Sequence, residues 1–236
     1  ETGDGWMGDA GGKPGGPRKI RLSTTPTRED LEQLKLGDIV YLDGLMYTAR
    51  EGVYMRAIEE RANIPMDLPR ESAANFHCSP AATINPDGSF TMGAVTATAS
   101  FRFKKWIGEW LDKSGAKLIV GKGGMSPADY KEHFVPRGAI YLTTVGYGTG
   151  ALLGRGVENV EAVHWNEELG LAQAMWVLKC NNMGPFIVAS DLEGNCLFER
   201  ENAKIAGNLE KIYEGTKQPT LKRYGETDDR SDELIG

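Results

Sequence analysis

Three cations and a hydroxyl-rich run stand where the chain changes direction. Arg50 follows Tyr47-Thr48-Ala49, where a strand pattern gives way to a helix pattern. Arg102 opens a strongly amphipathic helix just after Thr96-Ala97-Thr98-Ala99-Ser100. A guanidinium is a planar fork that grips a carboxylate through two parallel hydrogen bonds, so two arginines at element ends suit a molecule with two carboxylates. Lys122 lies in Gly121-Lys122-Gly123-Gly124, directly after a buried-type strand. A point charge among exposed backbone amides suits a carboxylate or phosphate; a solvated loop lysine is the alternative, and the GxxxxGK[ST] spacing of a P-loop is absent. A threonine beside such cations could move a proton only if its pKa were strongly lowered. Together Arg50, Arg102 and Lys122 outline a site for a dicarboxylic acid.

Other candidates are weaker. Gly146 to Ala151 satisfies GxGxx(G/A) after a strand pattern, but no acidic residue ends a strand about 20 residues later, as a dinucleotide site requires. A close helix–strand approach is the reading these facts favour, with a nucleotide site as the alternative. His77, His133 and His164 show no ligand spacing, and lone histidines are commonly structural. Cys78, Cys180 and Cys196 are an odd number without a CxxC pair, which argues against a disulfide framework, a zinc knuckle or a self-contained iron–sulfur motif. Any cluster chemistry must come from another chain.

The elements that would position these residues alternate between helix and strand signals, which points to an α/β fold. Thr27-Arg28-Glu29-Asp30 reads as a capping-box start. Residues 38–42 and 45–48 read as strands around an Asp43-Gly44 turn, followed by a helix over about 51–62. The clearest helix covers about 99–113, where Phe103, Trp106, Ile107, Trp110 and Leu111 recur at i, i+3, i+4, i+7 and i+8. Strands are expected at 117–120 and 139–144, with a helix starting at Ser126-Pro127. Residues 174–179 and 186–190 read as two strands around an Asn181-Asn182 turn, and 208–213 as a last helix. One domain is expected over 19–216, with 1–18 a flexible glycine-rich arm and 217–236 an acidic solvated tail.

Composition sets the outer limits. The chain has 236 residues, with 27 Lys+Arg against 33 Asp+Glu and a net charge of −6. That balance argues against nucleic-acid binding, whose affinity comes largely from cations on phosphates. No run of 18 apolar residues offers a membrane span, and a cytoplasmic location is expected. Thirty glycines, about 13% against roughly 7% on average, mark either loose chain or close backbone approaches.

Several segments resemble the β subunit of L-tartrate dehydratase and the C-terminal domain of class I iron–sulfur fumarases. They are Asp38-Ile-Val-Tyr-Leu42 with Thr48-Ala-Arg50, Lys117-Leu-Ile-Val-Gly-Lys-Gly-Gly-Met125, Val163-His-Trp165, and Met175-Trp-Val177 with Gly184-Pro-Phe-Ile-Val-Ala-Ser-Asp191. The resemblance spans about residues 20–215. It implies a swivelling three-layer β/β/α domain with a mixed sheet, and a hydro-lyase reaction that reversibly removes water from a hydroxy-dicarboxylate. It also implies a [4Fe–4S] cluster bound by a partner α subunit and not by this chain, in an αβ or (αβ)2 assembly. By position, Arg50 and Arg102 fall on carboxylate-binding arginines, Lys122 on the lysine of a Gly-Lys-Gly loop, and Thr98 on the threonine proposed as catalytic base. The sequence departs from the family at Thr96-Ala97 (in place of Gly-Pro), Ala99 (threonine), Glu51 (aspartate) and Tyr54 (histidine). The charged anchors persist while their surroundings change, so a non-catalytic paralogue that stabilises an α subunit is the alternative.

Overall fold

The computed structural model describes residues 6–9, 16–146 and 148–215. Most of the expected arm and all of the expected acidic tail lie outside them; within the arm, Trp6–Asp9 forms strand β1 and pairs antiparallel with β2 (Lys19–Ser23). The chain divides into two compact units, Glu1–Phe198 and Glu199–Gly236.

The first unit is mixed α/β around a mixed sheet. After α1 (Arg28–Glu32) come β3 (Ile39–Thr48), α2 (Glu51–Tyr54, running on as a wide turn through Met55–Glu59), α3 (Leu68–Glu71) and β4 (Ala74–Phe76). Next are a hairpin of β5 (Cys78–Ile84) and β6 (Phe90–Ala97), a 3-10 turn Ser100–Phe103, α4 (Lys104–Ser114), β7 (Leu118–Gly121), α5 (Pro127–Asp129) and β8 (Ile140–Thr144). Then follow α6 (Gly150–Arg155), β9 (Val157–His164), α7 (Asn166–Leu169), β10 (Met175–Val188) and α8 (Leu197–Ile212). Strands β2, β3, β4, β7 and β8 are parallel neighbours in that order. The long β10 pairs antiparallel with β8 and again with β3, so β3, β4, β7, β8 and β10 close on one another as a ring.

Alternation along these strands explains why both faces are buried. Leu118 and Val120 of β7, with Ile140 and Leu142 of β8, enter one cluster with Leu42, Phe76, Trp176 and Phe186. Ile119 and Tyr141, one residue out of phase, enter another with Ile107 and Leu111 of α4. The opposite edge of that helix puts Trp106 and Trp110 against Tyr47, Val53 and Tyr54. The amphipathic pattern therefore does what its spacing predicts, and Gly115 ends the helix in the left-handed conformation at φ 65°. Thr27 caps α1 through a reciprocal box with Asp30, and Ser126 caps α5 in the same way with Asp129.

Three expectations are corrected. Asp43-Gly44 is no turn: β3 runs straight through it, with Gly44 at φ +118°. The Asp43 carboxylate accepts from Arg21 and from the backbone N–H of Asn182, and β10 lies along both halves of β3, so the chain bends without reversing. The Asn181-Asn182 turn is likewise an irregularity inside β10, which shifts register at Cys180/Met183 and Met183/Phe186. The last helix begins well before the expected 208.

In the second unit, described from Glu199 to residue 215, α8 carries Glu201 bridged by Arg200 and Lys204, and exposed Ile205, Leu209 and Ile212.

Candidate functional site

Parallel register gathers the candidate residues at one end of the sheet. Thr48, Phe76 and Val120 are aligned neighbours on β3, β4 and β7. Two residues beyond each stand Arg50, Cys78 and Lys122. Adjacent strands lie about 4.8 Å apart, so the outer two chains leave the sheet roughly 10 Å apart. This is the carboxyl end of the parallel strands, where α/β sheets take ligands.

Arg50 is the N-cap of α2, with extended backbone. Its Nη1 donates to the carbonyl of Ala172 at 2.9 Å, while its Nε is buried without a partner. The 170–174 turn is fixed against the same helix start, because Gly52 N–H donates to Gln173 Oε1 at 3.2 Å. Burial lowers the Arg50 guanidinium below the usual arginine range, and the positive charge of Arg102 lowers it further. Arg50 therefore stands where its charge is poorly solvated and not neutralised by a partner carboxylate.

Thr98 and Lys122 meet through the backbone. After β6, the chain crosses the end of β4 and β7: Thr98 N–H donates to His77 O at 2.7 Å, Lys122 N–H to Thr98 O at 3.1 Å, and Ser100 N–H to Lys122 O at 3.4 Å. Ala99 and Lys122 form a parallel bridge. The 3-10 turn then exposes Arg102 and buries Phe103. The structure thus joins Thr98 to Lys122 through the backbone, and Arg102 follows four residues after Thr98, exposed on the 3-10 turn. Two clefts share Lys122, Thr144 and Gly146: one of about 360 Å³ that reaches Ile187 and Phe198, and one of about 90 Å³ that reaches Thr96, Ala97 and Gly150. Arg50, Thr98 and Arg102 line neither.

Sequence reasoning missed what lies beneath. His77 is fully buried; its Nε2 is 2.6 Å from Tyr54 Oη and its Nδ1 is 2.7 Å from Ser100 Oγ. Asn75 Nδ2 donates to Tyr54 Oη at 2.8 Å, Ser100 Oγ is 2.6 Å from Tyr141 Oη, and that hydroxyl donates to Lys122 O at 3.4 Å. Burial holds the His77 imidazole neutral, with its pKa lowered to about 3, and pushes the Tyr54 and Tyr141 hydroxyls up. The signal was there in part: a histidine directly after a buried strand, and a serine at the end of a hydroxyl run. Tyr54, one of the sequence's departures, sits on α2 and meets the imidazole of His77 from the link between β4 and β5.

In the glycine-rich 146–151 segment, Gly146 and Gly148 stand at φ +62° and +82° in open space, and packing tightens only towards α6. A Cβ on Gly150 would lie 3.4 Å from Thr96 Oγ1 and Val95 O, and one on Gly154 would overlap the carbonyl oxygen of Gly93. This is the close helix–strand approach, α6 against β6.

No iron–sulfur ligand set fits this chain's described residues. No three His, Cys, Asp or Glu side chains gather among them as a metal ion requires. Cys78, Cys180 and Cys196 are buried free thiols, and burial raises the first well above its usual range and the second to about 12; a metal ligand needs the thiolate. No helix among the described residues is long and apolar enough to cross a membrane.

A family model described as "Fumarase C-terminus" matches residues 6–201. The "Putative L(+)-tartrate dehydratase subunit beta" of Methanocaldococcus jannaschii is 36% identical over 189 residues, covering 79% of this chain and 94% of that protein. The "L(+)-tartrate dehydratase subunit beta" of Escherichia coli K12 is 34% identical over 197 residues, covering 82% and 94%. The "Putative fumarate hydratase class I" of Geobacillus stearothermophilus is 31% identical over 185 residues, which are 77% of this chain and 34% of that protein.

Proposed function

The chain belongs to the fumarase C-terminus family, and from that premise we propose that it is the β component of a hydro-lyase acting on a hydroxy-dicarboxylic acid of the tartrate or malate kind. The observation that supports this reading is the backbone ladder that brings Thr98 to Lys122, with Arg50 leaving β3 at the same end of the sheet. Two arginines and a lysine suit a doubly charged substrate, and a cation beside a hydroxyl favours its ionised form.

Arg50 and Arg102 each grip one carboxylate, which fixes the carbon chain between them. Lys122 adds charge on the Thr98 side. Thr98 accepts the proton from the carbon beside one carboxylate, while the C–O bond on the neighbouring carbon breaks and its electron pair leaves with the hydroxyl. Hydration runs the same steps backwards. A [4Fe–4S] cluster, if held by a separate α subunit, would supply Lewis acidity, and the names of the tartrate dehydratase relatives, which specify a β subunit, support such a division of subunits. The domain swivels as a β/β/α body against that subunit in an αβ or (αβ)2 assembly.

The test is co-expression with the α chain, anaerobic cluster reconstitution and an ultraviolet assay for the alkene product. Turnover of a hydroxy-diacid that depends on both chains is the expected result. A cluster-loaded pair that binds such acids without converting them would favour the non-catalytic paralogue, for which the altered Thr96–Ala99 box speaks.

A further inference from the structure

The buried chain under Thr98 has a fixed direction. At one end, the Asn75 amide nitrogen can only donate; at the other, the Lys122 carbonyl can only accept. One donor order satisfies both ends, and the Asn75 amide nitrogen also lies 3.4 Å from His77 Nε2. Tyr54 accepts from Asn75 and donates to His77 Nε2, His77 carries its proton on Nδ1 and donates to Ser100, Ser100 donates to Tyr141, and Tyr141 donates to Lys122 O. Tyr54, Asn75, His77, Ser100 and Tyr141 are all fully buried.

Both termini are dead ends for a proton, since neither an amide nor a backbone carbonyl passes one on at useful rates. The chain cannot serve as a proton wire. It can hold geometry, and it touches the site at three places: His77 O binds Thr98 N–H, Ser100 lies two residues beyond Thr98, and Tyr141 reaches the carbonyl of Lys122. Its path is also protected. A Cβ on Gly121 would overlap Ser100 Oγ and lie 2.7 Å from Tyr141 Oη, so the end of β7 must be bare for the serine to pass.

We propose that His77, Ser100 and Tyr141 are positioning residues for the reaction, which hold the Thr98–Arg102 turn and Lys122 at a fixed separation. The proposal rests on the reading of Thr98 as proton acceptor. Small displacements of a reacting group are costly, with a misplacement of about 1 Å costing up to about 100-fold in rate, and a neutral, buried hydrogen-bond network resists them.

The experiment compares two chemically identical changes in the reconstituted αβ pair. Ser100→Ala breaks the chain; Ser114→Ala removes another fully buried serine hydroxyl, which donates to Trp110 O on the far end of α4. Both are expected to lower Tm, but only Ser100→Ala lowers kcat, by ~10- to 100-fold with KM within about twofold. Tyr141→Phe, which removes one oxygen and no volume, behaves as Ser100→Ala does. The pH dependence of kcat keeps its midpoint in both, because no proton travels the chain. Equal kcat in Ser100→Ala, Tyr141→Phe and Ser114→Ala overturns the proposal. Thr98→Ala is measured alongside: if that variant alone keeps full kcat, the base assignment fails instead. Nitrogen NMR of the full chain decides the wiring without any turnover, with a neutral Nδ1–H imidazole at pH 7 expected for His77 and an Nε2–H or charged ring refuting it.

Discussion

Arg50 carries the electrostatic tension of the site, with a buried unpartnered Nε and a second guanidinium nearby. Anion binding relieves both, so Arg50→Ala and Arg102→Lys in the αβ pair should raise KM about tenfold, near 1.4 kcal/mol each. The lysine keeps the charge and loses the fork. Thr98→Ala should leave KM close to wild type and lower kcat by about 10²- to 10⁴-fold in steady-state assays. His77 sets a different pH response. Its folded pKa is about 3 against the usual 6.5, so the unfolded chain takes up a proton below 6.5 that the folded chain refuses. Stability is full above that value and falls as the pH drops towards 3, with a slope from this group of up to about 1.4 kcal/mol per pH unit. Its partners Tyr54, Ser100 and Asn75 stay neutral throughout. Urea melts from pH 7.5 to 5 should show the loss in wild type and a flatter profile in His77→Asn. The cations of this site were legible because charge at an element boundary is visible in one sequence. The polar chain was not, because Tyr54, His77, Ser100 and Tyr141 come from four separate segments that only the sheet register brings together.

At the scale of elements, close approach decides what glycine is for. Gly154 of α6 rests on the carbonyl of Gly93 in β6, so Gly154→Ala must push helix from strand. Overpacking of this kind costs about 1–3 kcal/mol, measurable as a lower denaturation midpoint. Moving α6 also shifts Gly150 from Thr96, a wall of the small cleft beside Lys122. The α4 helix, the Thr27 capping box and the Ser126 N-cap were legible, since their signals are local and period-based; the reciprocal bond to Asp129 emerges only in the structure. The continuity of β3 and β10 was not: Asp43-Gly44 and Asn181-Asn182 are genuine local turn formers, and long-range pairing of the two strands overrides them.

At the scale of the whole molecule, the proposed function divides the chemistry between two chains. With no gathered metal ligands among the described residues, the chain purified alone should be colourless, free of iron by elemental analysis and inactive. A brown, iron-loaded preparation of this chain would overturn the proposed division. The carboxyl ends of the parallel strands lead to Arg50 and Lys122, with Thr98 joined to Lys122 through the backbone, and this is the face such a partner would have to cover.

The closed ring of β3, β4, β7, β8 and β10 has a consequence for the birth of the protein. Its first strand is synthesised by residue 48 and its last only by residue 188, and β10 supplies partners to both β3 and β8. While the ribosome makes the intervening 126 residues, from 49 to 174, one flank of β3 remains an open hydrogen-bonding edge. Catalytic competence therefore cannot accumulate gradually along the nascent chain: Arg50, Thr98 and Lys122 are all translated early, yet the frame that holds them closes with one of the last strands to emerge.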